Sequence, residues 1–88
     1  MSKLIINADD LGYTPAVNRA IIDLFNAGLV TSTSLLVNQD SSEEGAELAR
    51  RHPRLSVGVH LNLTRGRPML AAALVHSLVD EEGNFWDA

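Results

Sequence analysis

Asp9 and Asp10 follow a short apolar run, Leu4-Ile5-Ile6, after Asn7 and Ala8, and lead into Leu11-Gly12. Parallel α/β folds carry their functional groups at the C-terminal ends of strands, the place this carboxylate pair would occupy. Successive side chains of a strand end point to opposite sides. One carboxylate can then hold a metal ion while the other stands nearer a substrate as a base. An isolated Asp-Asp pair more often serves a solvated turn. His60 changes that weighing. It lies near the end of a third strand pattern, opposite the Val57-Val59-Leu61 face, and Gly58 leaves room beside it. A lone histidine on a strand is usually exposed or hydrogen-bonded. Asp and His at equivalent ends of neighbouring strands, however, supply two of the three protein ligands of a catalytic site with open positions for water.

The remaining polar candidates have simpler readings. His52 precedes Pro53 at a helix end, where a dipole or solvent role is expected. His76, in Leu74-Val75-His76-Ser77, is a remote candidate for a third ligand. Thr31, Ser32, Thr33 and Ser34 put hydroxyls on both faces of a strand, which suits structural hydrogen bonding. Arg65 and Arg67 flank Gly66 just past His60, within reach of an anionic or hydroxyl-rich substrate if the loop is not simply solvated.

These groups need elements to position them, and the chain alternates. Leu4-Ile5-Ile6 reads as a strand buried on both faces. Thr14 can cap a helix with Pro15 at its first position, and Val17, Ile21, Leu24 and Gly28 follow at helical spacing, widened by Ala20 and Phe25. Gly28 ends that helix. A second strand runs from about Leu29 to Val37. Ser41 and Glu44 offer a capping box for a second helix carrying Ala46, Leu48 and Ala49, closed by Arg50, Arg51, His52 and Pro53. Leu55, Val57, Val59, Leu61 and Leu63 alternate with polar or small residues as a third strand. A loop at Gly66 and Pro68, a short helical turn within 71–79 and a turn at 80–84 complete the pattern.

The order β-α-β-α-β describes a single partial domain over residues 1–88. Three parallel strands cannot close a barrel of eight units, and they leave two open edges and thinly covered faces. The expectation is a missing remainder, a partner chain or self-association. A net charge of -4 has the wrong sign for a nucleic-acid grip or a polybasic membrane patch. No segment approaches the apolar length of a membrane span. With no cysteine, thiolate sites and disulfides are excluded. The N-terminal apolar run is too short for a signal peptide, so the reading is cytoplasmic, and the sequon Asn62-Leu63-Thr64 would then go unmodified.

Together, Asn7-Ala8-Asp9-Asp10, Gly12, Asn18, the stretch from Gly28 to Ser34 and Asn38 resemble the YdjC-like carbohydrate deacetylases. So do Arg50-Arg51-His52-Pro53, the stretch from Gly58 to Thr64, Gly66, Pro68, Ser77-Leu78-Val79-Asp80, Gly83 and Phe85. The motifs are collinear and span essentially the whole chain. The resemblance implies the N-terminal part of a distorted (β/α) TIM-like barrel. It also implies a metal-dependent hydrolase that removes acetyl groups from N-acetylated sugars such as chitooligosaccharides. In that family the second Asp and the strand-end His, here Asp10 and His60, are metal ligands, a further His well downstream is the third, and the first Asp, here Asp9, is the general base. Mg²⁺ is the favoured ion, with Zn²⁺ open. Leu11 stands where the family usually has an aromatic residue, a change that touches no ligand.

Two other readings fit part of the pattern. One is a non-catalytic binding or assembly module of the same fold whose sheet edges pair with another chain. The other is a receiver-type phosphoacceptor domain, which also has an acidic pair after its first strand but wants an Asp where this sequence has His60.

Overall fold

In the computed structural model, which describes residues 2–86, strand and helix alternate as the periodicity predicts. The elements are β1 (Asn7–Leu11), α1 (Pro15–Asn26), β2 (Ser32–Leu35), α2 (Ser42–Arg51) and β3 (Ser56–Val59), followed by a 3-10 helix at Ala72–Leu78. The three strands form one parallel sheet in the order β1-β2-β3. This is an α/β architecture built from successive β/α units.

Thr14 starts α1 as its type requires: its Oγ1 accepts a hydrogen bond from the Val17 N–H at 3.0 Å, with Pro15 in the first turn. Beyond Asn26 the chain turns through Gly28 at φ 79°. The buried stripe of α1 is Asn18, Ile21 and Ile22, with Phe25 half-buried. Of the expected stripe, Ile21 is buried and Val17 and Phe25 are half-buried, but Ala20, Leu24 and Gly28 are exposed, so the face is rotated toward Asn18 and Ile22. In α2 the capping box does not form. Ser41 makes no side-chain cap; the Ser42 hydroxyl instead accepts from the Gln39 N–H, and the Glu44 carboxylate receives the side chain of Asn18. Glu43 and Glu44 in the first turn and Arg50 and Arg51 in the last still complement the helix dipole.

The core lies on one side of the sheet. Ile22, Val30 and Leu55 are buried together, with Ala8, Phe25 and Leu48 packed against them. Because Ala8 belongs to this cluster, both helices cover the face that carries Ala8 and its register partner Thr33. The Thr33 hydroxyl is satisfied in that layer by donating to the Ala8 carbonyl at 2.7 Å. Asn7, Ser32 and Ser34 alternate to the opposite face and bond to one another: Ser32 Oγ donates to Asn7 Oδ1 at 2.8 Å, and Asn7 Nδ2 donates to Ser34 Oγ at 3.3 Å.

This one-sided cover corrects two expectations. Leu4, Ile5 and Ile6 are exposed and precede β1, which begins at Asn7. Ile6 is tied to Thr31, its N–H donating to the Thr31 hydroxyl and its carbonyl accepting from the Thr31 N–H, but the side chains of Leu4 and Ile5 stand largely open to solvent. Likewise β2 and β3 are shorter than their patterns, and Val59, Leu61 and Leu63 are exposed, Leu61 by 87%. β3 is an edge strand; Leu55, just before it, is buried in the core, but from Val59 onward its apolar alternation has no layer to pack against. The turn at 80–84 forms as expected. Asp80 Oδ1 accepts from the N–H groups of Glu82 and Asn84, and Val79 pairs with Phe85 across it. Among the described residues no helix is long and apolar enough to cross a membrane.

Candidate functional site

The end of β1 departs from regular strand. Ala8 is opposite Thr33 and Leu11 opposite Leu35, so Asp9 and Asp10 together face the single residue Ser34. This is a β-bulge, one extra residue that re-aims the side chains around it. Strict alternation would send Asp10 to the helix-covered face with Ala8. The bulge instead brings Asp10 to the open side, with Asp9, and restores Leu11 to the buried layer, where it is fully enclosed. Asp10 has φ 76°, the one positive value outside glycine among the described residues. Aspartate tolerates the left-handed region better than most residues, at a cost of about 1 kcal/mol or more.

The turn continues through Gly12 at φ 96°, and the Tyr13 N–H closes it on the Asp10 carbonyl at 3.1 Å. A Cβ on Gly12 would stand 2.9 Å from the Leu36 carbonyl oxygen and 3.0 Å from Ser42 Cα. From the other side, a Cβ on Gly45 of α2 would stand 3.0 Å from both the Cα and the N of Gly12. The two backbones therefore meet without side chains between them.

His60 follows β3, its N–H donating to the Leu35 carbonyl at 2.9 Å. Its ring reaches Asp10: Nδ1 lies 3.1 Å from Asp10 Oδ1. The pair is not aligned as a hydrogen bond, and Nδ1 is a buried polar atom without a hydrogen-bond partner. Such an atom calls for an explanation. Two donor atoms each about 2.1 Å from one octahedral ion stand about 3.0 Å apart, so a carboxylate oxygen and an imidazole nitrogen at this separation fit neighbouring ligands of a divalent cation. Among the described residues no group of three or more His, Asp and Glu side chains gathers here, so the chain supplies a pair.

Asp10 and His60 open onto a cleft of about 240 Å³ whose walls include Tyr13, Asn62, Thr64 and Arg65. Side-chain amides fix its rim. Asn38, Gln39 and Asn62 all donate to the Arg65 carbonyl, at 3.1, 3.1 and 2.8 Å. Asn62 Oδ1 accepts from the N–H groups of Thr64 and Arg65. The Arg65 guanidinium donates to the Tyr13 hydroxyl and lies 5.5 Å from the centre of that ring.

The bulge gathers Asp10 and His60, whereas Asp9 is exposed and does not line the cleft. Asp9 Oδ1 accepts from Asn7 Nδ2 at 3.0 Å, within the serine–asparagine network of the open face. His52 is structural: Nδ1 meets the Leu48 carbonyl at 2.7 Å and the ring stands edge-on to Phe25. His76 is exposed on the 3-10 helix and does not line the cleft. Arg67 donates to the Glu82 carbonyl, away from it. The role of Asn18 has no signature of its own in the sequence, although an Asn three and four residues before Ile21 and Ile22 shares their buried stripe. In the amide clamp the Asn62 turn onto Thr64 and Arg65 is local; the bonds linking Asn38 and Gln39 to this loop span 24 or more positions and have no local signal.

Comparison with known proteins matches residues 3–88 to the family described as YdjC-like protein. The chain belongs to this family. Among its relatives, a carbohydrate deacetylase of Enterococcus faecalis is 52% identical over 87 residues, covering 96% of this YdjC-like chain and 33% of the relative. One from Clostridium beijerinckii is 48% identical over 83 residues, covering 94% and 33%, and one from Homo sapiens is 48% identical over 84 residues, covering 94% and 26%. A crystal structure from Enterococcus faecalis, described as a candidate cellobiose-phosphate cleavage protein, superposes with a TM-score of 0.89 at 50% identity. It covers 94% of this chain and 33% of that one. The YdjC-like chain thus spans between about a quarter and a third of the length of these relatives.

Proposed function

We propose that this chain supplies the N-terminal portion of a metal-dependent carbohydrate deacetylase, a hydrolase that removes acetyl groups from N-acetylated sugars such as chitooligosaccharides. The single observation that carries the reading is the Asp10–His60 pair, a buried imidazole nitrogen without a hydrogen bond set 3.1 Å from a carboxylate oxygen. Relatives named carbohydrate deacetylase, about half identical to the chain, point to the same chemistry.

Asp10 and His60 would hold the ion; a carboxylate with an imidazole accepts several divalent metals, and Mg²⁺, which the family resemblance implies, is favoured with Zn²⁺ open. When bound, a divalent ion supplies Lewis acidity and eases the ionisation of water near neutral pH. Asp9, oriented by Asn7, takes the proton as water attacks the acetamide carbonyl. The carbon–nitrogen bond then breaks to give acetate, and the departing amine takes up a proton. Tyr13, Asn62, Thr64 and Arg65 offer the sugar hydroxyls hydrogen-bonding groups along the cleft.

A distorted barrel suits the topology. Sequential strand order with both helices on one face is the arrangement of a (β/α) barrel wall, whereas a doubly wound sheet is covered on both faces. The open face carrying Asn7, Asp9, Ser32 and Ser34 would line the interior.

The test is acetate release from chitooligosaccharides by this chain and by the Enterococcus faecalis relative carrying residues 2–86 in place of its own first third. The chimera is expected to be active, to lose activity to a chelator and to recover it with Mg²⁺. Asp10→Ala and His60→Ala are each expected to abolish metal uptake. Stoichiometric metal binding retained by either variant would sink the ligand assignment.

A further inference from the structure

We propose that Asn18 is a positioning residue for Asp10, acting through the backbone of Gly12; the inference rests on the metal-site reading above. Asn18 is fully buried on the inner stripe of α1, a place that Ile21 and Ile22 mark as apolar. A polar side chain with no exposure must have its hydrogen bonds supplied, and all of these are. Oδ1 accepts from the Gly12 N–H at 2.6 Å. Nδ2 donates to the Ser41 carbonyl at 3.2 Å and to Glu44 Oε1 at 3.0 Å.

One amide therefore ties three pieces together: the turn after β1, the body of α1 and the start of α2. The turn is the part that needs holding. Asp10 and Gly12 both have positive φ, and only the second is a glycine. The left-handed conformation of Asp10 persists where its surroundings over-determine it. Asn18 does so from within, by fixing the N–H two residues after Asp10, while Gly45 closes on the same residue from α2. Without the Oδ1 bond, the Gly12 N–H is left without this partner in a buried place, and Asp10 is free to relax toward ordinary strand geometry, away from His60. Asn18 itself does not line the cleft.

The test is Mn²⁺ affinity of the chain, measured at a temperature where circular dichroism shows every variant folded. Asn18→Ala is expected to weaken binding by about tenfold or more, the size of effect typical for groups that orient a ligand. Asn18→Asp keeps an acceptor for the Gly12 N–H but sets its second oxygen against the Ser41 carbonyl and Glu44 Oε1, so it is combined with Glu44→Gln, whose amide can donate to it. That double variant is expected to restore most of the affinity. Ile22→Ala removes core packing but leaves the turn alone, and is expected to stay within about twofold of the parent, as independent sites do. If Asn18→Ala and Ile22→Ala lose affinity in proportion to their loss of stability, Asn18 is only structural and the proposal is overturned. His60→Ala reports on the site itself. If it binds Mn²⁺ as the parent does, the metal-site reading falls first and this inference with it.

Discussion

Asp10 and His60 meet at 3.1 Å although they belong to β1 and to the end of β3, with β2 lying between those strands. Neighbouring strands are about 4.8 Å apart, so the two side chains close a backbone gap of nearly 10 Å over the middle strand. The bulge supplies one half of this reach and the continuation of β3 past Val59 the other. The metal-site reading depends on that bridge, and each part of it can be perturbed separately.

Asp10→Asn keeps a residue type that accepts positive φ while removing the charge that a cation needs. Stability is expected to change by no more than about 0.5 kcal/mol in urea denaturation. Mn²⁺ or Mg²⁺ binding, followed by calorimetry, is expected to disappear. A large fall in stability would show that the carboxylate serves the fold and not an ion.

Ser34 is the β2 residue opposite the bulge, and Gly58 is its register partner on β3. Their small size keeps the space above β2 clear. Ser34→Phe is expected to separate the pair and lower metal affinity by about tenfold or more, with the melting temperature little changed because that face is open. Unaltered affinity would mean that the bridge does not pass over this position.

Gly12→Ala combines a strained φ with contacts at 2.9 and 3.0 Å to backbone atoms that cannot move aside. The expected cost is about 2–4 kcal/mol, read from the shift of the urea midpoint. Gly28→Ala is the comparison, since Gly28 also has positive φ but its Cβ would meet nothing within 4 Å. Its cost should be about 1 kcal/mol, from backbone strain alone. Equal losses would show that the close approach of α2 is not what matters at Gly12.

Asn38 Nδ2 donates to the carbonyls of both Arg65 and Arg67, and its Oδ1 accepts from Asn62. Asn38→Ala is expected to cost about 1–3 kcal/mol and to loosen the rim of the cleft. Trypsin cleavage after Arg65 should then accelerate, scored by mass spectrometry of the fragments. An unchanged cleavage rate would mean that Gln39 and Asn62 hold the loop without it.

The features legible in the sequence are those with local causes. The Thr14-Pro15 start of α1, the positive-φ glycine at 28, the β/α alternation and the Asp80 turn all rest on residues within a few positions of one another. The meeting of Asp10 with His60 was legible because strand ends converge in parallel sheets. Its means was not: alternation at the end of β1 points Asp9 and Asp10 to opposite sides, and only pairing with β2 reveals the bulge that puts both on one side. The apolar runs at Leu4–Ile6 and Val59–Leu63 look buried by composition. They are exposed because burial depends on a covering layer, which a strand's own residues do not specify. The capping box at Ser41 failed for a related reason, since Asn18, far away in the chain, claims the Glu44 side chain.

The contact between Gly12 and Gly45 has a practical consequence for anyone altering this protein. Backbone meets backbone there, so neither position offers a smaller residue as compensation when the other changes, and a randomised library spanning both would consist mostly of dead members. Diversity belongs at Tyr13, Thr64 and Arg65, whose side chains face the cleft and can vary without disturbing that seam.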